Sequence, residues 1–393
     1  MTKIMDHIRH LAVTIGPRGS ATAAERRARD YVAQEMKALG LEVTLQEFPS
    51  ITTFSWPYLI LYLLPTLAFA LSFESPVAGA VLAVLGSGAF YLELNFREVL
   101  EPLLPKGTGY NALGRLRGSN PHKKVVISAH HDSSKAALNF KPSLVGGFRT
   151  SFLLMALSLF LVPFLLVAYA FTGLEAIRWA AVPFLLYLLG TAASMVHREV
   201  WNRYTHGAND NASGVGTMLE LAARASGEPL ENLDLWFLST GCEEAGTFGI
   251  RAFLRAHGRE LRDACFINLD NVGAGTVHYM AGEGMLPTYS ADPELLELFA
   301  AACRQRPELN VKRGLYTLMP TDATRCLAYG YRAISLLAVD DRGLLPNWHW
   351  ITDTYDRVEE ETVSTCAEIV WTVLKLMDAE QGTSREQTDV ARS

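Results

Sequence analysis

The sequence predicts an α/β fold, a mixed and mostly parallel sheet covered by helices and interrupted by two inserted transmembrane helical hairpins. Three observations carry that expectation. Apolar, β-branched runs of strand length alternate with helical segments. Histidine and acidic residues stand where several of those runs end, the edge at which open α/β sheets place their functional groups. The apolar excess of the chain is concentrated in four charge-free stretches. Of 393 residues, 49% are hydrophobic and 19% charged, a balance too apolar for an ordinary soluble domain, and the length admits one large or two ordinary domains.

In chain order, the N-terminal MTKIMDHIRHLAVTIG has His and Asp breaking its apolar residues, so no cleavable signal is expected. Residues 20–39 read as an amphipathic helix, with Thr22 and Glu25 at capping-box spacing and Gly40 placed to end it. Leu41–Phe48 reads as a strand, and Asn111–Leu116 as the next. After the turn GSNP, the continuous apolar run Lys124–Ala129 suits a strand buried on both faces and delivers His130 and Asp132 at its end. The glycine-bounded turn Gly207–Gly214 hands the chain to a helix beginning near Ser213. Strands are expected at Leu233–Thr240, Ala264–Leu269, Thr276–Met280 and Tyr331–Val339, and helices at Phe248–His257, Asp292–Arg304 and Glu359–Met377. The polar, ligand-bearing domain therefore comprises residues 1–50, 107–135 and 200–380, with insertions at 51–106 and 136–199 and a polar tail at 381–393.

The charge-free stretches are Phe54–Phe73, Pro76–Leu92, Thr150–Phe171 and Trp179–Val196. Each approaches the roughly 20 residues that cross a bilayer core as a helix. Glu74, Glu93, Arg149, Arg178 and Arg198 flank them, and Trp56, Tyr58, Tyr91 and Trp179 lie near their ends, the margins expected of membrane spans. Paired as hairpins, they return the chain to one side. That side carries Arg97, Lys106, Lys141, Arg149, Arg198 and Arg203 near the spans, whereas the turns offer only Arg178, so the polar domain is expected in the cytoplasm, anchored in the inner cell membrane. Five scattered cysteines without CxxC spacing agree with a reducing compartment. A net charge of -6 gives no reason to expect a nucleic-acid partner.

Five segments carry metal-ligand residue types: SAHHD (Ser128–Asp132), GANDNASG (Gly207–Gly214), GCEE (Gly241–Glu244), NLD (Asn268–Asp270) and HWITDT (His349–Thr354). Histidines and carboxylates without a thiolate cluster suit zinc or a similar divalent ion in a site that keeps water. Five ligands exceed one tetrahedral ion with an open position, yet fit two ions if one carboxylate bridges. The adjacent Glu243 and Glu244 then divide their work, one binding metal and the other acting as general base.

These segments resemble the M28 family of zinc aminopeptidases, whose ordered pattern AHxD, GAxDNASG, EE, NxD and late HxxxDT is met at Ala129–Asp132, Gly207–Gly214, Glu243–Glu244, Asn268–Asp270 and His349–Thr354. The resemblance implies a zinc-exopeptidase-like domain with two Zn2+ per chain. By it, His130 and Asp270 hold one ion, Glu244 and His349 the other, and Asp210 bridges. Glu243 is the implied general base, and Asp132 orients His130 from behind. His131 replaces a common Tyr and reads as a solvated or packing histidine. Asp322, in a PTDA segment similar to the family's SDH, reads either as an aid to a substrate amine or zinc ligand, or as a helix N-cap.

The expected function is hydrolysis of N-terminal peptide or related amide bonds by a metal-activated water, with Glu243 as base. Alternatives are a glutaminyl-cyclase-like single-zinc acyltransferase, suggested by HHDSSK from His130, and a non-catalytic receptor-like homologue, disfavoured because no ligand position is lost. The second hairpin is inserted between the His130 strand and the Asp210 turn, which makes acylated or membrane-held peptides candidate substrates beside soluble ones.

Overall fold

The computed structural model describes residues 3–390, with side chains to residue 379. The chain forms α1 (Lys3–Arg9), a π-helical turn, α2 (Ala23–Ala38), β1 (Glu42–Ser50), α3 (Ser55–Leu71), α4 (Pro76–Leu94), β2 (Gly107–Arg117), β3 (Lys123–His130), α5 (Phe148–Thr172), α6 (Glu175–Trp179) and α7 (Val182–Trp201). There follow α8 (Ser213–Gly227), β4 (Leu233–Thr240), α9 (Phe248–His257), β5 (Cys265–Leu269), β6 (Thr276–Glu283), β7 (Tyr289–Ser290), α10 (Pro293–Gln305), β8 (Lys312–Tyr316), α11 (Asp322–Ala328), β9 (Arg332–Val339) and α12 (Glu360–Val390). Two compact units result: residues 1–52, 106–134 and 204–393 form one, and residues 53–105 and 135–203 the other.

In the first unit the strand order is β1-β2-β4-β3-β5-β9-β6-β7, with β8 also paired to β6. Strands β4, β3, β5 and β9 run parallel, so His130, Thr240, Leu269 and Val339 all end at one edge. The margins β1-β2, β2-β4, β9-β6 and β6-β7 are antiparallel, so the sheet is more evenly mixed than the expected mostly parallel one. The reason lies partly in the first insertion. Ser50 pairs with Gly107 at the end of the β1-β2 ladder, so the chain leaves and re-enters the sheet at one end, and two strands joined that way run antiparallel.

Helices cover both faces. Val125, Ile127 and Ala129 of β3 join the core beneath α1, α2, α8 and α12, while Val126 joins Trp236, Ile250, Phe253 and Phe266 on the other face beneath α9 and α11. This two-sided burial follows from the period of two along a strand and agrees with the unbroken apolar run in the sequence. Local caps set the helix ends. Asp292 accepts the Leu295 amide at 3.1 Å ahead of Pro293 in α10, and Thr22 accepts that of Glu25 at 3.3 Å in α2. The capping box expected at α2 is only half formed, because Glu25 turns away to accept the amides of Ala21 and Cys242. The closing helix continues to Val390, beyond the expected Met377. Sequence reading passed over α1, β7 and β8, which are short and derive their stability from packing rather than from a long periodic pattern, and offered α11 only through the N-cap alternative for Asp322.

In the second unit α3 packs on α4 and α7, and α5 packs on α4 and α7. The buried stripe Gly79, Ala80, Ala83, Gly86 and Ser87 of α4 lets neighbouring helices approach closely. Among the described residues, three helical stretches, Pro76–Leu94, Val145–Thr172 and Glu175–Trp201, are long and apolar enough to cross a bilayer by length and composition. The fourth expected span, α3, is a shorter apolar helix of 17 residues.

Candidate active site

Each ligand-bearing segment is fixed by the backbone before its side chain is considered. His130 is the last residue of β3. Asp210 lies in the kinked turn that opens α8, and nearly every residue of GANDNASG has a structural task there. Asn209 donates to Asn271 Oδ1 and Pro346 O and accepts the Gly273 amide at 2.7 Å. Asn211 donates to Leu269 O at 2.8 Å and accepts the amides of Gly214 and Asn271. Gly207 sits at φ +60°, where a Cβ would lie 2.6 Å from Ser133 Cβ, so the position requires glycine. Asp353 holds the turn from the other side, its two carboxylate oxygens accepting the amides of Asn209 at 2.6 Å and Asp210 at 3.2 Å.

The GCEE segment leaves β4 through Cys242, at φ +51°. Asp132 accepts the amides of both Glu243 and Glu244 at 3.2 Å and the Ser20 hydroxyl at 2.6 Å. Asp270 follows β5, with one oxygen accepting Asn271 Nδ2 at 2.9 Å. His349 lies in the loop after β9 at φ +47°, a left-handed conformation uncommon outside glycine and kept where the surrounding structure dictates it.

The six side chains converge. His130 Nε2 lies 3.1 Å from Asp210 Oδ1, 3.5 Å from Asp270 Oδ1 and 4.0 Å from Glu243 Oε2. His349 Nε2 lies 3.0 Å from Asp210 Oδ2 and 3.1 Å from Glu244 Oε2. Two ligand groups emerge, His130-Asp210-Asp270 and Asp210-Glu244-His349, together with a third, His130-Glu243-Glu244, each with its donor atoms within 4.8 Å of one another. Asp132, expected to orient His130, approaches its Nδ1 at 3.4 Å.

All six are buried, Glu243 being the most open at 9% exposure. Burial pushes the carboxyls of Glu243 and Glu244 above their ordinary range, Glu243 further through Asp270 and Glu244 beside it. His130 and His349 go up despite burial, His130 chiefly through Glu243 and His349, to about 9, through Glu244 and Asp210. Asp210 is held down by its bonds from both imidazoles, against the effect of burial. So many carboxylates gathered out of water require compensating positive charge. Glu244 Oε1 is buried without a hydrogen-bond partner among the described residues, and the nitrogen and oxygen donor set suits zinc. The residues fit a divalent metal centre.

Two open readings are narrowed, His131 to its packing alternative and Asp322 away from the N-cap. His131 is not solvated: it is fully buried, its Nδ1 is 2.9 Å from Ser239 Oγ, and burial pushes its imidazole down to about 3. Asp322 is not a helix N-cap, since Thr321 caps α11. It accepts the Thr240 hydroxyl at 2.6 Å, and burial raises its carboxyl to about 7. Sequence reading assigned no site role to Arg18, Ser20, Glu25 or Asp353. Asp353 was within reach as the acid of the quoted HWITDT segment, whereas the other three carry no spacing signal toward the ligands.

Residues 191–374 match the model of peptidase family M28, a span that includes Asp210, Glu243, Glu244, Asp270 and His349 and begins after His130 and Asp132. The resemblance read from the motifs is borne out by that match. No match to a curated protein was found. Among solved structures, the chain is similar to a Zn-dependent exopeptidase from Parabacteroides distasonis, with 17% identity over 95% of this chain and 96% of that one and a TM-score of 0.56. A zinc aminopeptidase from Bacillus subtilis gives 16%, 94%, 93% and 0.57 for the same measures. A glutaminyl cyclase from Bacteroides thetaiotaomicron gives 17%, 95%, 96% and 0.57. These likenesses establish the fold, a mixed α/β sheet flanked by helices as in zinc exopeptidases.

Proposed function

Proceeding from an M28 peptidase match seated on a zinc-exopeptidase fold, we propose that the protein is a membrane-anchored di-zinc metallopeptidase that hydrolyses N-terminal peptide or related amide bonds. The observation that carries this reading is the carboxylate of Asp210, which presents one oxygen to each histidine group, the arrangement a bridging ligand between two ions needs. His130 and Asp270 would hold one Zn2+, Glu244 and His349 the other. Bound zinc would supply Lewis-acid polarisation of the scissile carbonyl and a water acidified toward neutral pH.

The chain's own residues do the rest. Glu243 shares the pocket without belonging to either Asp210 group, and its carboxyl is raised by burial, which suits a base that takes a proton from the attacking water and returns it to the leaving amine. Asp132 fixes Glu243 and Glu244 through their amides, so the base and its neighbouring ligand are held as one rigid turn. The fold likeness to glutaminyl cyclases supports a second reading, intramolecular cyclisation of an N-terminal glutamine. Zinc per chain, measured together with turnover of aminoacyl, N-blocked and N-terminal glutaminyl substrates, separates the two: about two zinc ions with release of the free N-terminal residue supports the peptidase, and one ion with a cyclised product the cyclase.

Membrane anchoring is supported by the apolar helices of the second unit, which leave Leu67, Val81, Leu85, Leu157, Phe164 and Leu186 exposed. At the turn end, Arg178 packs 3.8 Å from the Phe73 ring centroid and 4.8 Å from that of Tyr169, an aromatic and cationic margin of the kind that sits at headgroup level. The lysine and arginine bias of the sequence supports a peptidase unit on the cytoplasmic side of the inner membrane, with the peptide or acylated-peptide substrate reached from there.

A further inference from the structure

Arg18 is wholly buried and directs its guanidinium at main-chain carbonyls. Nε donates to His131 O at 2.8 Å, Nη1 to Leu11 O, Gly16 O and His206 O, and Nη2 to Gly207 O at 2.9 Å. His131 directly follows the ligand His130, and Gly207 opens the turn that carries Asp210. The Arg18 backbone is joined to the same place. Its amide donates to Ser133 Oγ, its carbonyl accepts the Ser133 amide, and the Ser133 hydroxyl donates to Thr205 O, each at 3.0 Å. Gly19 lies flat on the Tyr204 ring, where a Cβ would approach to 2.2 Å.

The next residues reach the third loop. Ser20 donates to Asp132, which receives the amides of Glu243 and Glu244. Glu25 accepts the Cys242 amide at 2.6 Å and that of Ala21 at 2.8 Å. A planar guanidinium fork bonded to five carbonyls fixes the distances between the segments that own them, which a lysine's single ammonium cannot do. We propose that Arg18–Glu25 is a positioning segment of the active site, holding the loops of His130, Asp210 and Glu243–Glu244 at the separations the metal centre needs. The assignment rests on the zinc reading above for its purpose, and on these bonds alone for its existence.

The test uses the full-length chain in detergent micelles, with Arg18→Lys, Ser20→Ala and, as a control, Arg115→Lys. Arg115 forms a two-pronged pair with Asp234 at the opposite end of β4 from the site. Two readouts are taken: Zn2+ affinity by chelator competition, and hydrogen exchange of the turns 205–212 and 240–247. Arg18→Lys and Ser20→Ala lower Zn2+ affinity about 10- to 100-fold, the usual effect of losing a group that orients a ligand. Exchange quickens about fivefold or more, at 205–212 in Arg18→Lys and at 240–247 in Ser20→Ala, as expected for one lost hydrogen bond. The control lowers the melting temperature and moves neither readout. Wild-type affinity and wild-type exchange at both turns in a folded Ser20→Ala overturn the proposal, even if Arg18→Lys fails to fold. A wild-type chain that binds no Zn2+, with exchange still quickened in the variants, sinks the zinc reading and leaves the positioning segment standing.

Discussion

Asp210 and His349 face each other at 3.0 Å through Oδ2, while the other oxygen of the same carboxylate lies 3.1 Å from His130. Asp270, by contrast, joins the His130 group alone among the described residues. Asp210→Asn is therefore expected to weaken both metal positions together, and Asp270→Asn only one. Zinc per chain after dialysis against a weak chelator checks this; retention of full zinc by Asp210→Asn, or equal loss in the two variants, contradicts the bridging arrangement.

Glu243 and Glu244 are neighbours with different surroundings. Glu244 belongs with Asp210 and His349, whereas Glu243 approaches His130 only at 4.0 Å. Glu243→Gln should keep wild-type zinc content while turnover falls by about 10² to 10⁴, the typical contribution of a general base. Glu244→Gln should lose metal first. Equal metal loss in both rejects the division of roles.

Protons and metal compete for the same imidazoles. In the metal-free protein His349 is raised from 6.5 to about 9 by Glu244 and Asp210. A raised histidine stabilises the fold fully below its unfolded value, and that contribution disappears as pH climbs through its folded value. Zn2+ binding must expel this proton, so affinity rises and proton release falls between pH 6.5 and 9. Calorimetric titration in two buffers of different ionisation enthalpy reads the released protons directly; a Zn2+ affinity flat across that window is the contrary outcome.

Asp353 is buried and accepts the amides of two buried residues, Asn209 and Asp210. Asp353→Ala leaves both unsatisfied, at about 1–3 kcal/mol each, and should lower the thermal transition markedly. Asp353→Asn, which keeps one acceptor oxygen, should fall between it and wild type. An unchanged transition in the alanine variant would show that the Asp210 turn holds itself.

The orientation proposed for the spans places the turn near Gly173 outside the cell. Gly173→Cys should react with an impermeant thiol reagent added to intact cells, and the native chain should be nearly silent, since four of its cysteines are buried and Cys303 is half-buried. Protection of the introduced thiol until the membrane is permeabilised would reverse the topology.

The sequence by itself determined the strand and helix alternation, the apolar helices and the residues that converge as a candidate metal site. Periodicity along a strand or helix is a local property, and the ligand types stand in ordered motifs at strand ends. The antiparallel margins of the sheet were not legible, because strand pairing depends on where an insertion re-enters, as at Ser50 and Gly107. The resemblance implied that Asp210 bridges, but the distances that set one of its oxygens against each histidine arise only when turns far apart in the chain close on one another. The roles of Arg18, Ser20 and Glu25 belonged wholly to the tertiary structure. A guanidinium that binds carbonyls and a carboxylate that binds an amide choose backbone partners, and the backbone is the same at every residue, so no side-chain spacing announces them.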